Sequence, residues 1–149
     1  MCCRTSPAGE RDAVKLAADA NVLLSAVIGG RARLVFRHPK IQEILTTAHT
    51  FSEVEEYAPV LAERRGLPAD VIILAVAALP IVIVDRARYA KKLPDALRRI
   101  GRRDPEDAEL LALALQFKIP VWSNDKDFNS VNVDLFTTGD ILRHLSVIE

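Results

Sequence analysis

Four acidic residues stand where the sequence predicts that a β-strand ends or a helix begins. They are Asp19, Glu53, Asp107 and Asp125. In an open α/β fold these edges meet in one cleft, so we expect the four carboxylates to lie close together. Because crowded carboxylates repel one another, such a cleft requires a cation, most naturally a hard divalent ion with oxygen ligands. The pattern therefore favours a metal-dependent hydrolase.

The elements that would position these acids alternate along the chain. Strands are predicted at residues 14–18, 41–47, 81–84, 121–123 and 133–137. Helices are predicted at residues 22–28, 31–37, 50–64, 68–79, 86–100, 105–118 and 139–145. Pro59 predicts a kink or a split in the helix that contains it. Strands that alternate with helices pair in parallel and are covered by helices on both faces, so the predicted fold class is α/β.

Length and composition favour a single domain. The chain has 149 residues, half of them hydrophobic, which suffices for one core. We expect residues 1–12 to be a disordered or tag-like leader and residues 13–149 to form the domain. Cys2 and Cys3 are the two cysteines, which excludes a disulfide framework and leaves a zinc site without its further ligands. The leader lacks a secretory segment and the apolar run 71–84 is too short to span a membrane, so we expect a cytoplasmic protein with no membrane partner.

The charge balance neither supports nor excludes a nucleic-acid ligand. Lysine plus arginine equals aspartate plus glutamate at 20 each, so a polyanion would have to bind local basic patches. The stronger candidate patch consists of Arg98, Arg99, Arg102 and Arg103, and the weaker one of Arg31, Arg33 and Arg37. These patches would hold phosphates on either side of an acidic cleft, although a solvated helix face explains the first patch equally well.

Asp19 and Asn21 follow the first predicted strand. Aspartate is among the best N-cap residues, so capping of the helix that begins near Ala20 explains Asp19 as well as a catalytic site does. Asn21 adds a polar group on the side of the cleft. It also removes the paired aspartates that haloacid-dehalogenase-like phosphatases carry at this place. Both interpretations of Asp19 stay open.

Glu53 has a structural alternative and a substitute. Thr50 and Glu53 have the spacing of a capping box, in which the glutamate bonds back to the threonine amide. On a helical wheel, however, Glu53 shares a face with Tyr57 and Val60, which predicts that this face points inward. An acidic residue at the start of an inward-facing stripe is more typical of a functional site than of a solvent-exposed position. Glu56 is the substitute for Glu53 as the second acid.

Asp107 belongs to an acidic helix opening. Asp104 is the predicted N-cap and Pro105 the first helical residue. On the wheel, Asp107 lies on the side of Leu110 and opposite the polar Glu109. A buried acid needs a partner, so Asp107 is predicted to line the cleft.

Two acids share the turn after the fourth predicted strand, and Asx turns explain either of them. Asp125 lies nearer the strand end and is the better metal candidate, whereas Asp127 is expected to cap the turn. Asp140 falls in the first turn of the last helix, where its charge complements the helix dipole. The sequence contains no nucleophile elbow and no phosphate-binding glycine motif, so no nucleotide cofactor is indicated.

Together these motifs resemble the PIN domain, whose best-known members are VapC-type toxin ribonucleases. The resemblance runs from residue 14 to residue 145, and its order and separations are more specific than any one motif. It rests on Asp19-Ala-Asn21-Val-Leu-Leu-Ser25, the helix-start Glu53, Asp107-Ala-Glu-Leu-Leu-Ala-Leu-Ala114 and Trp122-Ser-Asn-Asp125-Lys-Asp-Phe128.

The resemblance implies a three-layer α/β/α sandwich with a central, mostly parallel sheet. It implies a metal-dependent endoribonuclease that hydrolyses RNA with a catalytic, Mg²⁺- or Mn²⁺-binding quartet of Asp19, Glu53, Asp107 and Asp125. Ser123 matches the small polar residue before the last acid, and Asn21 the polar follower of the first. The residues expected around the quartet or the substrate are Asn21, Ser123, Asp104, Asp127, Arg102 and Arg103. The resemblance further implies an antitoxin protein and a homodimer as partners.

Two rival functions fit the same residues. A PIN-like domain could keep its cleft and serve as an RNA- or protein-binding module, although the complete set of acids argues against this. A receiver-like or Mg-dependent phosphohydrolase domain would use Asp85, at the end of a predicted strand, as a phosphoryl acceptor. The chain lacks the paired acid that this class carries after its first strand.

Overall fold

The computed structural model describes residues 14–100, 105–124 and 134–148. The five strands in this part of the chain are β1 (Val14–Ala18), β2 (Ile41–Thr47), β3 (Val82–Val84), β4 (Val121–Trp122) and β5 (Leu135–Phe136). The seven α-helices are α1 (Ala20–Val27), α2 (Ala32–Arg37), α3 (Ala48–Arg64), α4 (Ala69–Ala77), α5 (Leu93–Ile100), α6 (Pro105–Phe117) and α7 (Thr138–Ile148). Two 3₁₀ turns, Arg86–Arg88 and Ala90–Lys92, precede α5. None of the described helices is long and apolar enough to cross a membrane.

The sheet is parallel throughout its described strands, in the order β3-β2-β1-β4-β5. The chain fills one side of β1 with β2 and β3, and then crosses to β4 and β5 on the other side. The strand order therefore reverses between β1 and β4, and ligands of open α/β sheets bind at the carboxyl ends of the strands at such a point. Asp19 follows β1 directly and Ser123 follows β4 directly.

Side-chain alternation along the strands divides the core into two layers. Leu16 of β1 and Trp122 of β4 face the layer that contains α1, α2, α3, α4 and α7. Ala17 of β1 and Val121 of β4 face the layer that contains α5 and α6. The indole N–H of buried Trp122 donates to the Thr138 hydroxyl at 3.0 Å, which ties α7 to the sheet. The predicted α/β/α sandwich is confirmed.

Helix α3 differs from its prediction at its start and in its middle. Thr47, rather than Thr50, is the N-cap, because the Thr47 hydroxyl accepts a hydrogen bond from the Thr50 N–H at 2.8 Å. The capping box of Thr50 and Glu53, which was the structural alternative for Glu53, is therefore excluded, because Thr50 lies inside the helix. The helix also continues through Pro59, so the predicted split is wrong as well. Burial of Ala58, on the core-facing side next to the proline, holds both halves of the helix in one layer.

Residues 86–100 do not form the single helix that was predicted for them. Tyr89 leaves the helical backbone, with φ −127° and ψ 8°, and separates the two 3₁₀ turns. Its side chain is 1% exposed and its hydroxyl donates to Glu109 at 2.5 Å. This tertiary contact overrides the local helical pattern.

Candidate functional site at the sheet edge

Asp19 lies at the carboxyl end of β1 and caps helix α1. Its Oδ1 atom accepts a hydrogen bond from the Val22 N–H at 3.0 Å, and its Oδ2 atom accepts one from the Ser123 hydroxyl. The backbone N–H of Asp19 donates to the Trp122 carbonyl at 3.2 Å, which extends the pairing of β1 with β4. With Asp19 only 8% exposed, its carboxylate is held at the point where the strand order reverses. The predicted capping role is confirmed, and capping does not conflict with a place in the crevice.

Other polar side chains fix the backbone around Asp19. The buried Thr46 hydroxyl donates to the Ala18 carbonyl at 2.9 Å. Asn124, which follows Ser123, accepts the Thr138 N–H on its Oδ1 atom at 2.9 Å. Ser123 itself is fully buried. These contacts join β1, β2, β4 and α7. The backbone that carries Asp19 is therefore held in place by buried polar side chains.

Glu53 is half-buried on α3, at the flank of the core-facing stripe. The buried residues of this helix are Thr50, Val54, Ala58 and Ala62. Tyr57 and Val60 are each 41% exposed, so the prediction that their face points inward is wrong. Glu53 lies beside the buried stripe and not within it, and the substitute acid Glu56 is exposed.

Asp107 is half-buried near the start of α6, and its Oδ2 atom is buried. The seven residues that follow it, 108–114, are all buried, because α6 lies in the middle of its layer. Helix α6 contacts β1, and α3 contacts both α1 and α6. The three acids Asp19, Glu53 and Asp107 thus belong to elements that touch one another.

The prediction that Glu109 lies on a polar face of α6 is wrong. Glu109 is 8% exposed and forms a two-point ion pair with Arg86, through Nε at 3.3 Å and Nη2 at 2.5 Å. Its Oε1 atom also accepts the Tyr89 hydroxyl at 2.5 Å. The hydrogen bond to Glu109 raises the pKa of Arg86, which stays cationic. A helical wheel could not reveal this cluster, because both partners come from the segment before α5.

Tyr89→Phe should lower stability at neutral pH by about 1.5–3 kcal/mol, because it removes a buried hydrogen bond to a carboxylate. Burial, with Glu109 nearby, raises the pKa of Tyr89 well above its ordinary value of 10.0. The folded state thus retains a proton that the unfolded state releases, and this contribution to stability is lost as pH rises above about 10. Denaturant unfolding from pH 7 to 11 should show a steeper alkaline decline for wild type than for Tyr89→Phe. Equal slopes would contradict the assignment, and Tyr57→Phe is the exposed control.

Some predicted site residues can be placed and others cannot. Asn21 is exposed on the first turn of α1. The leader and Asp104, Asp125, Asp127, Arg102 and Arg103 lie outside the described residues. Within residues 14–100, 105–124 and 134–148, no group of three or more His, Cys, Asp or Glu side chains could hold a metal ion. The four-acid metal site therefore stays a prediction, and it depends on Asp125.

The charged residues outside the quartet have local roles. Arg98 and Arg99 both form ion pairs with Asp95 of their own helix, at 2.9 and 3.3 Å. Asp140 accepts the Thr137 N–H at 3.0 Å, while the Thr137 hydroxyl accepts the Asp140 N–H at 3.1 Å. This reciprocal capping lowers the pKa of Asp140. Asp140 thus stabilises the start of α7, as predicted.

A family model of the PIN domain matches residues 18–146, which is most of the chain. The chain belongs to the PIN domain family. The match begins at the last residue of β1 and ends within α7, so it spans the strand ends and helices described above. Comparison with curated proteins finds no match.

Solved structures agree with this PIN domain fold. A toxin–antitoxin complex from Klebsiella pneumoniae matches with a TM-score of 0.59 at 20% identity, over 83% of this chain and 97% of that chain. VapC20 of Mycobacterium tuberculosis, a toxin that cleaves the sarcin–ricin loop, matches with a TM-score of 0.56 at 18% identity, over 79% and 95%. The RRP44 PIN domain of T. brucei matches with a TM-score of 0.51 at 17% identity, over 91% and 84%. At these identities the likeness concerns the fold.

Proposed function

We propose that this PIN domain protein is a metal-dependent endoribonuclease that hydrolyses RNA phosphodiester bonds. The observation that carries the proposal is the placement of Asp19. A nearly buried carboxylate, oriented by Ser123 and the start of α1, stands where the strand order of a parallel sheet reverses. Burial of a charge is costly unless hydrogen bonds and an opposite charge compensate for it, and a cation is the partner that an acidic cleft accepts most readily.

The donor chemistry at this edge fits Mg²⁺ or Mn²⁺. Asp19, Glu53 and Asp107 offer carboxylate oxygens, which hard divalent cations prefer, and Asp125 would complete the set. When bound, such an ion activates water and stabilises negative charge on phosphate oxygens. The described acids do not form a metal-binding group by themselves, so Asp125 is the acid on which the proposal depends.

The chain's own residues would contribute orientation. The Ser123 hydroxyl and the Val22 N–H donate to the two oxygens of Asp19, which fixes the orientation of the carboxylate. We expect Asn21, which is exposed on the first turn of α1, to contact the substrate at the mouth of the cleft. The rival phosphoryl acceptor, Asp85, is exposed beside the edge strand β3 and away from the reversal point.

We also propose a cytoplasmic location and protein partners. The Klebsiella pneumoniae relative is a toxin–antitoxin complex, which supports an antitoxin protein as partner. Helix α4 and strand β3 expose Val71, Ile73, Leu74 and Ile83, which range from 44% to 69% exposed. An apolar surface of this kind suits an antitoxin or the second copy of a homodimer.

The direct test is cleavage of a defined RNA hairpin, with a DNA of the same sequence alongside. Wild-type protein should cleave the RNA with Mg²⁺ or Mn²⁺, lose activity with excess chelator, and recover it when the metal is restored. Cleavage that survives chelation would contradict metal dependence. Absence of cleavage under every metal condition would favour a catalytically silent binding module instead.

A further inference from the structure

A polar cavity of about 360 Å³ adjoins the Asp19 edge. Its lining consists of Ser25 of α1, Arg31 and Ala32 at the start of α2, Asn124 after β4, and residues 137–139 at the start of α7. We call it the Arg31 pocket. Asn124 directly follows Ser123, whose hydroxyl donates to Asp19, so the pocket begins one residue beyond the side chain that bonds to this proposed catalytic acid.

A close backbone approach places Arg31 at this pocket. The Gly30 N–H donates to the Ser25 carbonyl at 2.7 Å, and a side chain at Gly30 would collide with the Ser25 hydroxyl. The absence of a side chain at Gly30 therefore lets the α1–α2 connection fold over the end of α1. Arg31, the next residue, is exposed at the pocket, and Arg33 is exposed outside its lining.

The other polar groups of the pocket are held so that they can donate hydrogen bonds. Asn124 receives the Thr138 N–H on Oδ1, which orients the amide and leaves Nδ2 as a donor. The Thr138 hydroxyl accepts from Trp122, so its own proton is available to another acceptor. Ser25 supplies a further hydroxyl. One arginine and several oriented donors form a site for an anion.

Side chains, rather than the end of helix α7, carry this recognition. Asn124 already accepts the Thr138 N–H, and Thr137 and Asp140 cap each other. Of the described residues that line the pocket, none is acidic and Arg31 is positively charged. The pocket thus places the cationic Arg31 near the sheet edge that carries the Asp19 carboxylate. This arrangement suits a phosphate group that binds beside the cleavage site.

We propose that the Arg31 pocket binds a backbone phosphate of the RNA, adjacent to the phosphate that is cleaved. This inference rests on the proposed function for its substrate and assigns it a second contact point. Arg31 would act as a positioning residue, with its guanidinium on the phosphate oxygens and Asn124 as a second donor. The asymmetry of the two sites would fix the direction in which the strand crosses the sheet edge.

Binding of a single-stranded RNA oligonucleotide, measured by fluorescence anisotropy in chelator over a range of salt concentrations, tests the proposal without relying on cleavage. Loss of one phosphate contact in Arg31→Ala should reduce the slope of log affinity against log salt by about 0.7. Asn124→Ala should weaken binding with a smaller change of slope, because it removes no charge. Arg65→Ala is the matched control, since it removes the same charge from an exposed position at the end of α3, outside the pocket lining, and should leave the slope unchanged.

RNAs that carry one neutral methylphosphonate linkage, moved along the strand, identify the phosphate concerned. One position should weaken wild-type binding and leave Arg31→Ala unaffected. Equal slopes for Arg31→Ala and Arg65→Ala would overturn the proposal. So would the absence of any linkage whose effect depends on Arg31, or undetectable RNA binding. Arg31-dependent binding without cleavage in metal would uphold the pocket and reject the nuclease function, whereas cleavage with no Arg31 dependence would reject the pocket alone.

Discussion

Replacing Asp19 with asparagine should abolish RNA cleavage without destabilising the protein. Asparagine caps helices as well as aspartate does, and its Oδ1 atom can still accept the Val22 N–H. Its amide nitrogen can donate to Ser123, so both contacts survive in altered form. What the substitution removes is a nearly buried negative charge. Because even residues that only orient metal ligands change metal affinity or activity 10- to 100-fold, cleavage should fall by at least about 100-fold.

Thermal melting with and without metal separates this loss of charge from unfolding. Metal at 100 times its dissociation constant stabilises the folded state by about 2.7 kcal/mol, which corresponds to a rise of roughly 5–10 °C in the melting temperature of wild type. Asp19→Asn should melt at or above the metal-free wild type, because carboxylate repulsion is reduced, and should lose most of the response to Mg²⁺.

Asp19→Ala is the matched comparison, because it loses the cap as well as the charge and should be less stable by about 1–2 kcal/mol. If neither metal nor Asp19→Asn raises the melting temperature, the carboxylates are not crowded and the metal site is wrong. Asp125→Asn, assayed in parallel, should lose the same cleavage. Equal residual cleavage in all variants would indicate a contaminating nuclease.

The parts of the fold that the sequence predicts well are those with a local signal. Strands β1 and β2 occupy the predicted residues, because apolar runs and polar boundaries mark both ends. The short β5 and the helix boundaries were predicted less closely. Parallel pairing followed from the alternation of strands and helices, but the order of strands could not be read from one sequence. That order places the reversal between β1 and β4.

The errors share a cause, which is contact between distant segments. The helical pattern predicts that Glu109 is a surface residue. In the structure it is hydrogen-bonded to Arg86 and Tyr89, which precede α5 in the chain. The same contact interrupts the helix predicted over residues 86–100. Thr47 caps α3 in place of Thr50, because β2 ends at Thr47 and the helix begins directly after it. Local propensity cannot rank such alternatives because the difference lies in tertiary packing.

The site was partly predictable for the same reason. Asp19 and Ser123 are 104 residues apart, yet both follow strands, so a parallel sheet brings them to one edge. The sequence predicts Asp19 as a site residue from its place, and the resemblance to the PIN domain predicts Ser123. The structure adds the hydrogen bond between them. The sequence did not predict a pocket at Gly30, Arg31 and Asn124. A Gly-Gly break and a single asparagine do not form a motif with a characteristic spacing. The signal that could have found them is their place at the ends of neighbouring elements.

Ser123→Ala should leave most of the fold intact and weaken metal binding at the proposed site. Ser123 is fully buried and its hydroxyl donates to Asp19 Oδ2, so the substitution removes a donor that orients this carboxylate. Removal of a partner that orients a metal ligand costs about 10- to 100-fold in metal affinity or activity. Loss of a hydrogen bond to a charged group also costs about 1.5–3 kcal/mol of stability. Cleavage should therefore require higher Mg²⁺ or Mn²⁺ concentrations.

Metal titration of cleavage distinguishes positioning from a general loss of structure. Ser123→Ala should show a half-saturating metal concentration that is about 10- to 100-fold higher, with activity partly recovered in excess metal. A variant that is merely less folded would lose amplitude at every metal concentration and keep the same midpoint. Ser123→Thr retains the hydroxyl and should restore the midpoint, although its extra methyl group costs about 1–3 kcal/mol in a filled core. An unchanged midpoint in Ser123→Ala would mean that the hydroxyl stabilises the β1–β4 edge without tuning the acid.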